Sequence, residues 1–154
     1  MSRLRMVSGT KMADLLRAAP GALEADTMMR GLLIEQLTPR RFSLIGVVVA
    51  GCLRCERFVE ALRGPLEPSL AAQAARDWRS IEVPAADKVL LAYVEKGTLD
   101  EASVRKRDVD ELRAAGFGDR DVLLIATAIA YHNYAIRMAA AFGVVPGEAV
   151  EGIE

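Results

Sequence analysis

The chain has 154 residues, 52% hydrophobic and 27% charged, which excludes a disordered or low-complexity polymer and gives one domain enough apolar surface for a core. Twenty Lys and Arg against 21 Asp and Glu leave a net charge of -1, without the basic surplus a nucleic-acid binder uses to displace counterions, and Trp78 is the single Trp. The longest apolar runs, 42–53 and 122–136, fall short of the roughly 20 residues of a membrane span, and the N-terminus carries Arg3, Arg5 and Lys11 without the apolar stretch of a secretory signal, so a cytoplasmic chain is expected.

Apolar spacing is mostly helical, and strand alternation is scarce. Residues 12–17 are predicted as a short helix closed by Pro20 and Gly21, and 23–37 as a second with Met28, Leu32, Leu33 and Ile34 on one face. Thr38 suits an N-cap and Pro39 a first helical turn. Residues 39–50 therefore read as helix, although Val47, Val48 and Val49 would also suit a strand. Gly51 is expected to break that helix and 52–63 to form the next, stopped by Gly64 and Pro65. An Ala-rich helix over 69–79 follows, then one over 84–96 stopped by Gly97, with 98–100 as a turn. Asp108 is expected to cap 109–115, ended by Gly116, and Asp119 to cap the longest helix, 120–142, ended by Gly143. Residues 122–126 are apolar nearly all round and require burial on most sides, in the core or against another subunit. The acidic tail, 146–154, is expected to fray. The result is an all-α, single-domain helical bundle over 1–154, with its ordered core over 12–150 and extra apolar surface buried by oligomerisation.

Cys52 and Cys55 are the two cysteines, in the run Gly51-Cys52-Leu53-Arg54-Cys55. In a reducing compartment one CxxC reads as redox chemistry, as part of a metal site or as inert packing. At the start of a predicted helix, residues three apart share a face, and the partial positive charge there stabilises a thiolate. Arg54 and Arg57 add positive charge, while Glu56 opposes it. A sulfenic acid on one sulfur would then be within reach of the other, giving a disulfide. A zinc site wants four ligands, and the chain offers these two cysteines and a distant His132.

Three stretches carry a resemblance: Leu37-Thr38-Pro39-Arg40-Arg41-Phe42-Ser43-Leu44-Ile45; the CxxC run; and Asp108-Val109-Asp110-Glu111-Leu112-Arg113-Ala114-Ala115-Gly116-Phe117, followed by Tyr131-His132-Asn133-Tyr134-Ala135-Ile136-Arg137-Met138. In this order and spacing they resemble the alkyl hydroperoxidase D-like, carboxymuconolactone decarboxylase superfamily, nearest to its peroxidase-related branch. The resemblance implies an all-helical fold and obligate oligomers, trimers or hexamers. It implies that Cys55 attacks a peroxide, that Cys52 resolves the product, and that a lipoyl or thioredoxin-like dithiol reduces the disulfide. The chain departs from the family relay at two positions: Val59 stands where a histidine is expected, and Ser43 where a glutamate is, in a stretch shorter than usual. Val59 moves no proton, and a serine hydroxyl is a poor base at neutral pH.

His132, the sole histidine, is a replacement base if its helix passes the cysteine pair and a packing residue otherwise. Asn133 and Arg137 read as structural, Tyr131 and Tyr134 as core or interface packing, Arg105-Lys106-Arg107 as a solvated loop, and Trp78 as a plug in a groove. The expected function is a CxxC dithiol oxidoreductase reducing alkyl hydroperoxides, with Cys55 and Cys52 catalytic and Arg54, His132 and Ser43 in support. The alternatives are a catalytically weakened relative acting as an oligomeric binding or sensing module, and a cofactor-free decarboxylase-type enzyme. No cofactor, metal, nucleic acid or membrane partner is expected.

Overall fold

A helix that is apolar on every side has to be surrounded, and one such helix organises this chain. The computed structural model describes residues 11–147, in which the α-helices are α1 (Met12–Leu16), α2 (Ala22–Leu37), α3 (Pro39–Cys52), α4 (Val59–Leu62), α5 (Pro68–Asp77), α6 (Ala85–Leu99), α7 (Lys106–Ala114) and α8 (Asp119–Phe142). Short 3-10 turns occupy Glu56–Phe58, Trp78–Ser80 and Glu101–Ser103. Every residue from Phe42 to Ala50 is buried, because α2, α5, α6 and α8 all pack against α3. That enclosure explains why a valine-rich segment is stable as helix: its side chains are spent on packing rather than on a ladder. The expected cap is present, with Thr38 Oγ1 accepting from Arg41 N at 3.3 Å and Pro39 in the first turn. No strand occurs among the described residues; Met12 N donates to Val145 O at 2.8 Å in a single bridge between the two ends of the bundle.

The all-α expectation holds, and several boundaries move. α3 does not stop at Gly51 but continues to Cys52. Gly51 is there for proximity: a Cβ at this position would lie 1.9 Å from the Ala75 carbonyl oxygen, so its absence lets α5 press against α3. The predicted helix over 52–63 is replaced by a turn at 53–55, a 3-10 turn and the short α4. α6 runs past Gly97 to Leu99 and absorbs the predicted turn. α7 begins at Lys106, since the Asp108 carboxylate acts from inside its first turn, accepting from Arg105 N at 2.7 Å. Asp121 does the same for α8, accepting from Gly118 N at 2.9 Å. The fraying expected over 146–154 lies largely outside the described residues, as does most of the N-terminal segment before Met12.

In α8 the core covers one face of residues 122–126 and leaves the other open. Leu124 and Ile125 are buried, but Leu123 is 67% exposed and Ala126, Ala130 and Tyr134 continue the same outward strip. Met28, Met29 and Leu32 on α2 are exposed as well. α8 is also the one helix among the described residues that is long and apolar enough, by length and composition, to cross a membrane, which the sequence reading had excluded. Its other face is a core face packed on α2, α3 and α6. Two ion pairs brace the bundle, Arg41–Asp87 at 3.0 Å between α3 and α6 and Lys96–Asp108 at 2.9 Å between α6 and α7.

Gly51→Ala is expected to lower unfolding stability by about 1–3 kcal/mol, the usual cost of overpacking, because backbone rather than a movable side chain opposes the new methyl. Urea denaturation of the two proteins measures the difference; an unchanged midpoint would contradict the close approach.

Candidate active site at the cysteine pair

The CxxC is built by the way α3 ends. Cys55 N donates to Ala50 O at 2.8 Å and Arg54 N donates to Gly51 O at 3.1 Å, and Arg54 sits in the left-handed region at φ +56°. This is a Schellman ending, in which crossed hydrogen bonds satisfy the last carbonyls and the residue after the cap turns left-handed. Glycine normally takes that position; a residue with a Cβ costs of order 1–2 kcal/mol there. Cys52 is thus the last residue of a helix and Cys55 lies beyond its cap. The pair does not open a helix of useful length, which overturns the expected activation by a helix N-terminus. The carbonyl end of α3 carries partial negative charge and disfavours a thiolate.

Both thiols are free. Cys55 is 8% exposed, belongs to the apolar core and directs its S–H at the Leu53 carbonyl oxygen, 3.5 Å away. Its burial fits the ending, since the residue after the left-handed one commonly packs inward. Cys52 is half-buried and opens on a groove of about 330 Å³ shared with Arg54, Trp78, Arg79, Glu95 and Leu99. Glu95 holds that groove together: it accepts from Trp78 Nε1 at 2.7 Å and from both terminal nitrogens of Arg79 at 3.0 and 2.7 Å. The Arg79 hydrogen bonds keep Glu95 ionised, with its pKa below the ordinary value. Burial pushes the Cys52 thiol up to about 11; the Glu95 charge adds to the rise, and Arg79 opposes it. Cys52 is therefore a protonated thiol at neutral pH in the folded chain.

Arg54, expected to activate the thiolate, lines the groove, but the cation acting on Cys52 is Arg79. Glu95, Arg79 and Trp78 are the partners that sequence reasoning missed. Trp78 had been read as a groove plug, and nothing in the sequence paired α5 with α6 to make the groove. Ser43 and His132 lie elsewhere. Ser43 precedes Cys52 by nine residues of one helix, about 13 Å at 1.5 Å per residue. His132 packs beside it: its Nε2 is 3.0 Å from the Phe42 carbonyl oxygen, and its ring lies against Gly46, where a Cβ would be 2.6 Å from Cε1. Neither is placed to move a proton at Cys52. Val59 is buried carbon. Burial pushes the His132 pKa down to about 4, outweighing its hydrogen bond to Phe42, so the ring is neutral.

Asn133 turns back to its own helix, donating to Ile129 O at 2.9 Å and to Thr98 Oγ1 at 3.4 Å, which fits a structural role. Tyr131 and Tyr134 both face Asp26, whose pKa burial raises. Arg105, Lys106 and Arg107 are exposed, with Lys106 paired to Asp110 at 2.7 Å. Among the described residues no three His, Cys, Asp or Glu side chains gather as metal ligands.

Two outcomes follow from these environments. Alkylation of Cys52 by iodoacetamide, measured in a Cys55→Ser background, should climb with pH toward a midpoint near 11; Glu95→Gln should lower that midpoint and Arg79→Ala raise it. A midpoint unmoved by both changes would reject the described groove. His132 has a folded pKa below its unfolded value of about 6.5, so the unfolded chain takes the proton first. Its contribution is complete above pH 6.5 and is lost as pH falls toward 4, by about 3 kcal/mol. Chemical denaturation across that window should show the loss, and His132→Phe should flatten it.

No protein-family model matches the chain, and no curated protein does. Solved structures do. An uncharacterized peroxidase-related protein from Silicibacter sp. matches with a TM-score of 0.69 at 27% identity, over 84% of this chain and 73% of its own. An uncharacterized peroxidase-related protein with an alkylhydroperoxidase AhpD core, from Ralstonia eutropha, matches at 0.68 and 24% identity, over 87% and 75%. A protein of unknown function from Agrobacterium tumefaciens, suggested to be an antioxidant defence protein AhpD, matches at 0.65 and 21% identity, over 92% and 97%. The chain has the all-α alkyl hydroperoxidase D-like fold, and its structural neighbours are the peroxidase-related proteins to which the sequence resemblance pointed.

Proposed function

We propose that the chain is a dithiol oxidoreductase with slow, peroxidase-like chemistry, in which Cys52 meets the oxidant and Cys55 completes the disulfide. The observation that carries this reading is the unequal exposure of the pair: Cys52 opens on the groove, and Cys55 is buried behind it. The family resemblance gives the attacking role to Cys55; the burial order supports the reverse. The Cys52 thiolate attacks the terminal oxygen of a small organic hydroperoxide, giving an alcohol and a Cys52 sulfenic acid. The Cys55 thiol then displaces water and forms the Cys52–Cys55 disulfide. A dithiol of the lipoyl or thioredoxin-like class returns the pair to thiols by exchange, attacking the exposed sulfur of Cys52 and expelling Cys55.

Two features make the reaction slow. With a thiol pKa near 11, about one Cys52 in ten thousand is thiolate at pH 7. Val59 occupies the place of a proton-moving group, whose absence typically removes a factor of about 10²–10⁴ in rate. The weakened relative and the slow oxidoreductase are thus the same molecule read at two rates. The exposed strip formed by Met28, Met29, Leu32, Leu123 and Tyr134 supports the expected self-association into a trimer or hexamer.

Adding one equivalent of cumene hydroperoxide should remove both free thiols over minutes to hours, faster as pH rises. In Cys55→Ser, dimedone should label Cys52; in Cys52→Ser, Cys55 should stay unlabelled. Labelling of Cys55 alone would restore the resemblance's order of attack, and two thiols still free after prolonged peroxide would end the redox reading.

A further inference from the structure

The groove on which Cys52 opens is lined by three arginines, Arg54, Arg76 and Arg79, against two carboxylates, Asp77 and Glu95. Arg79 and Glu95 satisfy each other through hydrogen bonds of 3.0 and 2.7 Å. Asp77 is turned to the backbone, its Oδ1 accepting from Arg79 N at 3.2 Å. Arg54 and Arg76 remain: both are exposed, and neither guanidinium has a hydrogen bond or ion pair among the described residues. Arg54 also holds its place against strain. Its φ of +56° is one that glycine adopts freely and a residue with a Cβ does not. Outliers of this kind gather at functional sites, where the side chain outweighs the strain. Here the side chain kept is a cation on the thiol groove.

The charges that act on the Cys52 thiol are those of Glu95 and Arg79. Arg54 and Arg76 are left to meet a group carried farther out on a ligand whose reactive atom reaches the sulfur. A guanidinium matches a carboxylate with parallel N–H donors. The apolar part of the wall, Val48, Ala75, Trp78 and the 59% exposed Leu99, suits the carbon body of such a ligand. At about 330 Å³ the groove exceeds the roughly 150 Å³ that holds a benzene ring, so a ring and its substituents have room. We infer that Arg54 and Arg76 form an anion-docking rim, and that the oxidant reduced at Cys52 is a small organic hydroperoxide bearing a carboxylate. The inference rests on the thiol reading given above and names its substrate class. The Cys52 thiolate gives an electron pair to the terminal peroxide oxygen and the O–O bond breaks. The departing alkoxide takes a proton from water, leaving a carboxylated alcohol and a Cys52 sulfenic acid. Cys55 and the dithiol then close the cycle.

Iodoacetate and iodoacetamide separate the rim from the redox chemistry, since both alkylate a thiolate and they differ in charge. In Cys55→Ser at about 10 mM salt, the iodoacetate-to-iodoacetamide rate ratio of the folded chain should exceed that of the urea-unfolded chain about threefold, the scale of one exposed ion pair. Salt at about 1 M, where the Debye length is about 3 Å, should erase the excess. Arg54→Gly, which keeps the left-handed turn, and Arg76→Gln should each lower it. Para-carboxylated cumene hydroperoxide should oxidise Cys52 about threefold faster than cumene hydroperoxide. This arm uses the unaltered chain, so the test stands even where a variant fails to fold. A folded ratio no higher than the unfolded one, or an excess that survives in the folded double variant, would overturn the rim. An iodoacetate excess with both hydroperoxides inert would keep the rim as an anion site and end the redox reading. Two hydroperoxides reacting at equal rates would overturn the substrate class while the redox reading stood.

Discussion

The fold depends on how closely two helices, α5 and α8, can approach α3. At Gly51 the Ala75 carbonyl of α5 occupies the space a side chain would need, and at Gly46 the His132 ring of α8 does the same. Those two absences let α5 and α8 close on the helix from different sides and bury everything from Phe42 to Ala50. The packing decides the secondary structure: three successive valines have no intrinsic preference for helix, and full enclosure supplies what propensity lacks. It also fixes the thiol groove, which forms where α3 ends between α5 and α6.

Much of this architecture was legible in the sequence. Thr38 and Pro39 marked the start of α3, Gly143 the end of α8, and apolar spacing of 3.6 gave the helical class. The errors share one cause. Gly51 and Gly97 were read as breaks, yet both lie inside helices. A glycine that permits close packing and a glycine that ends a helix are the same letter, and only the neighbouring element distinguishes them. Arg54 shows the converse: the residue that does turn left-handed is not a glycine, so the true end of α3 carried no local signal.

The candidate site was legible in identity and not in environment. Cys52 and Cys55 stood out at once, but their chemistry turns on which end of which helix they occupy, and the misplaced boundary reversed the sign of that effect. Long-range pairing hid the rest. Glu95 reaches Trp78 and Arg79 from another helix, and Ser43 and His132 come together from positions 89 apart in the chain. The solved structures that resemble this chain share its fold and describe peroxidase-related proteins.

The hydrogen bonds that finish α3 run from Cys55 to Ala50 and from Arg54 to Gly51, so they bracket the turn that carries the two sulfurs. A covalent link between Cys52 and Cys55 would staple the helix terminus shut, and unwinding the final turn would pull that staple. By reciprocity, whatever holds the terminus wound also sets how readily the sulfurs couple. In a chain oxidised at this pair, the bond between the sulfurs and the length of the central helix would be one variable, with the left-handed Arg54 lying between them.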